Sequence, residues 1–177
     1  MTESIQVRTL SVLGDSEVRE LSEVLIDCVE GGASVSFMSP ITRATADAFW
    51  RNVAESVVRG ERVLLTAEDS AGRIIGTVQI IFAEAENQPH RADIAKMLVH
   101  RRARKRGVGA ALLAAAESAA LTAGRTVLVL DTASDDAERL YTRLGWQRCG
   151  VIPGYALLPG GGLCDTTFFY RTLSNGR

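Results

Sequence analysis

The stretch Arg104-Lys105-Arg106-Gly107-Val108-Gly109 constrains this chain most, because it divides an apolar strand pattern from an alanine-rich helix pattern. Asp93 to Val99 reads as a strand, and Gly109 to Ala123, nearly all Ala and Leu, reads as a helix. A strand, a basic glycine loop and a helix start thus follow one another directly. At such a join the unpaired N–H groups of the first helical turn carry the positive end of the helix dipole, and glycine lets a ligand come close to the backbone. The join is an expected anion site. Arg101, Arg102, Arg104, Lys105 and Arg106 add a dense positive field at the same mouth.

Periodicity organises the remainder. Ile5 to Leu10 alternates like a first strand, and Asp15 or Ser16 is placed to cap a helix with Val18, Leu21, Leu25, Cys28 and Val29 at helical spacing. Gly31-Gly32 stops it. The loop GGASVSFMSP leads to a second helix from about Thr42 to Arg59, with Ala44, Ala48, Val53 and Val57 among its inward candidates and Gly60 at its end. Val63 to Ala67 and Arg73 to Ala83 form a predicted hairpin around Asp69 to Gly72. After the strand and helix that flank the glycine loop come a strand Thr126 to Asp131, a helix Asp135 to Leu144, and strands near Trp146 to Val151 and Thr166 to Thr172. Helices first, a central hairpin and then two strand–helix units predict an α/β fold with a mixed sheet covered on both faces. If the strands starting at Asp93 and Thr126 part at their ends, the gap between them is a cleft with the anion loop at its rim.

Bulk properties narrow the function. A chain of 177 residues, 46% hydrophobic and 23% charged, suits a single domain over residues 1–177. Formal net charge is −1, so the basic cluster is local and wholesale nucleic-acid binding is not expected. Cys28, Cys149 and Cys164 are odd in number and lack metal-ligand spacing, which points to free thiols in a reducing compartment and to no metal. The start MTESIQVRTL has no apolar secretory core, and no run approaches the ~18 apolar residues of a membrane span. A cytoplasmic protein without a membrane partner is expected.

Two nucleotide readings of the loop are weaker. Gly107-Val108-Gly109 followed by Leu112, with Asp131 standing 22 residues after Gly109, imitates a dinucleotide fingerprint. Leu112, however, stands where close helix–strand packing needs a small residue, and seven residues separate Val99 from Gly107 where a tight turn is required. No GxxxxGK[ST] exists in the chain. A plain solvated turn is the remaining alternative, and two glycines at spacing two on a helix start argue against it.

Arg104-Lys105-Arg106-Gly107-Val108-Gly109 resembles the [Q/R]-x-x-G-x-[G/A] signature of the GCN5-related N-acetyltransferases (GNAT). Ala137, Tyr141, Gly145 and Trp146 match the A-x-x-x-Y-x-x-x-G-[F/W] element that follows it in that family. Gly31 to Met38 (GGASVSFM) and Pro153-Gly154-Tyr155 with its trailing LLPGGGL resemble the tabtoxin-resistance branch of the same family. The resemblance implies a GNAT fold, a mostly antiparallel sheet of about seven strands splayed into a V, and acetyl-CoA as cosubstrate. Its pyrophosphate would lie on the N–H groups of Arg106, Gly107, Val108, Gly109 and Ala110, with Arg104 and Lys105 beside it. Pantetheine would pair with the backbone of Met97, Leu98 and Val99 in the manner of an added strand. Ser134, where many members carry Asn, and Ala137 complete the implied cofactor contacts.

Acyl transfer needs an unprotonated amine, a polarised carbonyl and a protonated leaving group. Tyr141 matches the family's general acid. With reference pKa values of about 10 for a phenol and about 8.5 for a thiol, its proton transfer would be uphill by only ~2 kcal/mol. Asp93 and Asp131 are the candidate carboxylates near the amine. Asp93 lies eleven residues before Arg104, the offset at which histone-type members carry a glutamate base, and Asp131 closes the next strand. By alternation Asp93, Ala95, Met97 and Val99 share one face. A carboxylate near 3.9 is a weak base for an ammonium near 10.4, so the aspartates are expected to hold the amine and pass its proton through water. Capping by Asp131 and pairing of Asp93 with Arg91 are the structural alternatives. Ser34, Val35 and Phe37 on the first helix–helix loop, and Tyr155, are candidate substrate walls. Trp50 and Trp146 are expected in the core, His90 and His100 receive no role, and Cys149 has no partnering base, so direct transfer is preferred. The resemblance implies a small-molecule amine as partner, a toxin or antibiotic by the likeness to the resistance branch, with a monomer or homodimer expected. Acetylation of a polyamine, amino acid or protein amino terminus, a non-catalytic CoA-binding module and polyanion binding by the basic run are the alternatives.

Overall fold

In the computed structural model, which describes residues 5–174, seven strands form one sheet in the order β1-β2-β3-β4-β5-β7-β6. They are β1 (Gln6–Leu10), β2 (Arg62–Glu68), β3 (Ile74–Phe82), β4 (Arg91–Val99), β5 (Val127–Thr132), β6 (Gln147–Leu157) and β7 (Leu163–Thr172). Only β4 and β5 run parallel; every other neighbouring pair is antiparallel. The helices are α1 (Asp15–Glu30), α2 (Arg43–Val58), α3 (Val108–Thr122) and α4 (Asp135–Arg143), with a 3-10 turn at Arg101–Ala103. The expected fold class is therefore observed.

Alternation along the strands splits the core in two. Leu64 and Leu98 face α1 and α2, packing with Leu21, Leu25, Trp50 and Val53. Leu65, Val78, Ile80, Leu128 and Leu130 face α3 and α4, packing with Leu112, Leu113, Ala116 and Tyr141. α2 turns differently from its sequence reading, since Ala44 and Ala48 are exposed while Ala46, Trp50 and Val53 are buried. The cause is Trp50, whose large ring sets the helix rotation by its own burial, whereas an alanine buries too little surface to do so. α1 is capped at Gly14 rather than at Asp15 or Ser16, with Glu17 accepting the Gly14 N–H at 2.9 Å.

β4 and β5 pair only at Arg91–Val127, Ala92–Leu128 and Asp93–Val129. Past those pairs the two strands part, which is the expected wedge. β4 also carries a bulge: Thr77 opposes Leu98 and Gln79 opposes Ala95, so Lys96 and Met97 together face Val78. The extra residue inverts the alternation. Ala92 and Ile94, then Met97 and Val99, all pack toward α3, and the expectation that Asp93, Ala95, Met97 and Val99 share one face is overturned.

The last two strands are longer than their sequence reading. Pro153 and Gly154 lie inside β6, which tolerates proline because it is the sheet's edge and is irregular between Ile152 and Ala156. Its hairpin turn reaches the α1–α2 loop, where Ser39 N–H donates to Pro159 O at 2.9 Å and Ser34 Oγ to Leu157 O at 3.0 Å. Loop and hairpin together roof the sheet beside the wedge.

Candidate active site

The anion loop is built by its backbone. Lys105 and Gly107 are both left-handed, at φ 60° and 85°, so successive N–H groups turn toward one side as in an anion-binding nest. Gly107 is the N-cap of α3, and the first helical bond runs from Ala111 N–H to its carbonyl at 3.0 Å. The N–H groups of Val108, Gly109 and Ala110 consequently have no partner within the helix. A Cβ at Gly107 would meet nothing within 4 Å, so the space above this N-cap is open. Gly109 serves packing instead: a Cβ there would come to 3.0 Å from Leu140 and 3.1 Å from Met97, which makes it the contact point of α3, α4 and β4. Arg101 clamps the loop's base to α1 through Asp27, at 2.7 Å from its N–H and 2.9 Å from its Nε.

A cavity of about 880 Å³ runs from this loop into the wedge. β4 contributes Met97, Leu98 and Val99; the loop and α3 contribute Arg104, Lys105, Gly107, Val108, Gly109 and Ala110. Ser134 and Ala137 line it from α4, where Ser134 is the N-cap and its Oγ accepts the Ala137 N–H at 3.3 Å. Arg106 is outside the lining set. Val99 O already accepts from Arg104 Nε at 3.3 Å, so Arg104 also braces the strand end. Backbone groups on the parted edge of β4, freed from β5, suit an extended chain of amides.

Tyr141 and Asp131 line the cavity at its deep end. Tyr141 is 4% exposed, its ring stacked at a tilt on Trp146 and Phe169 at 5.9 and 5.6 Å. Burial, with the Asp131 charge adding to it, pushes its hydroxyl well above the ordinary phenol range. Asp131 is raised as well, by partial desolvation first; the Lys96 ammonium opposes that and the Asp93 carboxylate reinforces it. Asp93 itself does not line the cavity. Arg91 Nη1 holds both of its oxygens at 2.8 Å, the pairing set out above as the structural alternative, and Asp93 reaches the site only as a like charge on Asp131.

A second cavity, about 280 Å³, adjoins the first. Phe37 and Tyr155 line it, and Ser34 lines both, while Val35 lines the larger. Tyr155, 53% exposed, stands edge-on to Phe168 at 5.4 Å. The two cavities share Ser34, Ser36, Asp131 and Ala133, so they meet beside the Asp131 carboxylate. Sequence reasoning missed Ser36 and Lys96. Lys96 Nζ donates to Ser36 Oγ at 3.1 Å and lies 5.8 Å from the Phe49 ring centroid. The available signal was one lysine inside the otherwise apolar run IAKMLV. Among the described residues no cluster of His, Cys, Asp or Glu could hold a metal, and no helix is long and apolar enough to cross a membrane.

The overall fold is shared with solved structures of several acetyltransferases. The chain superposes on a phosphinothricin acetyltransferase from Sinorhizobium meliloti in complex with AcCoA at TM-score 0.78 and 19% identity, covering 99% of this chain and 91% of that one. A GCN5-related N-acetyltransferase from Kribbella flavida matches at 0.79 and 21%, covering 96% and 98%, and a ribosomal-protein-alanine N-acetyltransferase from Brucella melitensis at 0.77 and 21%, covering 95% and 99%. The model of the Acetyltransferase (GNAT) family matches residues 33–146, and the chain belongs to that family.

Proposed function

We propose that the protein transfers an acetyl group from acetyl-CoA directly to the primary amine of a small molecule. The observation that carries this reading is the meeting of a long cavity, headed by an N–H cradle, with a separate vestibule at Asp131. The residues present fit the cofactor: open space over Gly107, unpartnered N–H groups on Val108 to Ala110, and a strand edge released from its neighbour. When bound, acetyl-CoA supplies an activated thioester. Val108, Gly109 and Ala110 would hold its pyrophosphate, and Met97 to Val99 its amide arm.

Asp131 anchors the acceptor's ammonium and lets its proton leave through water. Tyr141 stays protonated and donates a hydrogen bond to the sulfur as the carbon–sulfur bond breaks. Its raised pKa makes complete proton transfer dearer than the ~2 kcal/mol expected from reference values, so charge stabilisation of the departing thiolate carries more of the effect. Likeness of Gly31 to Met38 and Pro153 to Tyr155 to the tabtoxin-resistance branch supports a toxin or antibiotic as acceptor, and these segments line the vestibule through Phe37, Met38 and Tyr155. Incubation with acetyl-CoA and an amine panel containing β-lactam dipeptides, a polyamine and free amino acids, read as thiol release, tests this. Amine-dependent release that falls at least about tenfold in Asp131→Asn is expected, as for a lost hydrogen bond to a charged group. Thiol release independent of any amine, or unchanged in the variant, would remove the reading.

A further inference from the structure

We propose that Lys96 selects the acceptor, its ammonium receiving an anionic group that the acceptor carries close to its reactive amine. This rests on the transferase reading above and on Asp131 as the amine's anchor. The first support is backbone conformation. Lys96 stands in the β4 bulge at φ 48°, and Ser36, the residue it touches, stands at φ 75°. Left-handed conformations are uncommon for residues other than glycine and cluster at functional sites, where the surroundings over-determine them. Two such residues from separate elements, β4 and the α1–α2 loop, meet at the wall of the cavity.

The second support is where the ammonium goes. A lysine on a strand normally carries its head out to water along a flexible stem. Here the head instead turns onto the Phe49 ring and the Ser36 hydroxyl at the partly exposed cavity wall, and partial burial lowers its pKa while Asp131 opposes that shift. An ammonium has three donors. Among the described residues Lys96 makes one hydrogen bond, to Ser36, and no ion pair; Asp131, which lines the same cavity, acts on it through its charge. Arg62, the other cation felt by Lys96, is occupied by Ser56 at 2.8 Å and Gln79 at 2.7 Å. The acceptor junction therefore presents one negative and one positive group, held apart. A ligand with an amine and a carboxylate or phosphonate satisfies both, whereas the second amine of a polyamine is repelled by Lys96.

The test compares wild type with Lys96→Met and Lys96→Arg on matched pairs of amines, each amino acid against its amide, with spermidine as a third arm. Thiol release gives kcat and KM, and titration with CoA checks that the cofactor site is intact. Wild type should prefer the acids, and Lys96→Met should lower kcat/KM for the acids about tenfold or more, mainly through KM, as expected for a lost hydrogen bond to a charged group. The amides should change far less than the acids, showing only the upward move of the acid limb that the loss of Lys96 imposes on Asp131, spermidine should improve, and Lys96→Arg should recover part of the preference. Equal losses on acids and amides, or no preference for acids in wild type, would overturn the assignment of Lys96 and leave the transferase reading standing. Turnover of no amine by a wild type that binds CoA would overturn both.

Discussion

A phenol packed in the core beside a carboxylate ionises with difficulty, so Tyr141 remains a hydrogen-bond donor throughout the range in which amines are acetylated. Tyr141→Phe is expected to lower kcat by about 10- to 100-fold with little change in acetyl-CoA affinity, the size of a hydrogen bond to a developing charge; stopped-flow thiol release together with calorimetric binding checks both halves. The fold also holds the proton more tightly than the unfolded chain does. Stability from this group is complete below a pH of about 10 and declines above it, and the decline should flatten in Tyr141→Phe. Asp131 follows the same sign at lower pH: its pKa is raised, so the acid limb of kcat/KM should lie above the ordinary carboxylate value. Asp93→Asn removes a like charge and should move that limb downward with kcat kept. A collapse of kcat in Asp93→Asn would return Asp93 to a direct catalytic role. The sequence could single out Asp131 and Tyr141, which both line the cavity, because each sits in a local pattern. For Asp93 the sequence left two readings, and the structure has the pairing with Arg91, whose guanidinium two residues away holds both carboxylate oxygens; offset alone does not report a partner.

At the scale of elements, the join of β4 to α3 was legible because everything that makes it is contiguous. Gly107 supplies the positive φ at the N-cap, and the Ala/Leu run supplies the helix. Gly107→Ala places an L-residue in the left-handed region, at a cost of about 1–2 kcal/mol, and moves the cradle's first N–H groups. The melting temperature should fall modestly and the Kd for CoA rise several-fold; an unchanged Kd would separate the loop's conformation from cofactor binding. The β4 bulge was not legible. Nothing in Ile94-Ala95-Lys96-Met97 marks an extra residue, since the bulge is defined by its register against Gln79 and Thr77 on another strand. β6 was shortened in the sequence reading for a related reason. Proline normally ends a strand, and only knowledge that this strand is the sheet's edge makes Pro153 compatible with it.

Across the whole molecule, one sheet separates two clusters of buried side chains, and each has a fully buried anchor. Trp50 is fully buried against α1 and the sheet; Leu112 is fully buried on the opposite face. Trp50→Ala should cost about 3–5 kcal/mol and Leu112→Ala about 2–5 kcal/mol. Because both clusters pack on the same strands, denaturant titration should give a single transition in each variant, and two separate transitions would show that the faces unfold independently. The general architecture could be read from element order, but the roof over the acceptor side could not. It forms from segments more than a hundred residues apart, Ser34 with Leu157 and Ser39 with Pro159.

That the vestibule and the long cavity touch only around Ser34, Ser36, Asp131 and Ala133 has a consequence for traffic through the enzyme. If the long cavity takes the donor and the vestibule the acceptor, as proposed, each ligand keeps walls of its own apart from those four shared residues, so a spent carrier and a finished amide need not queue for one another.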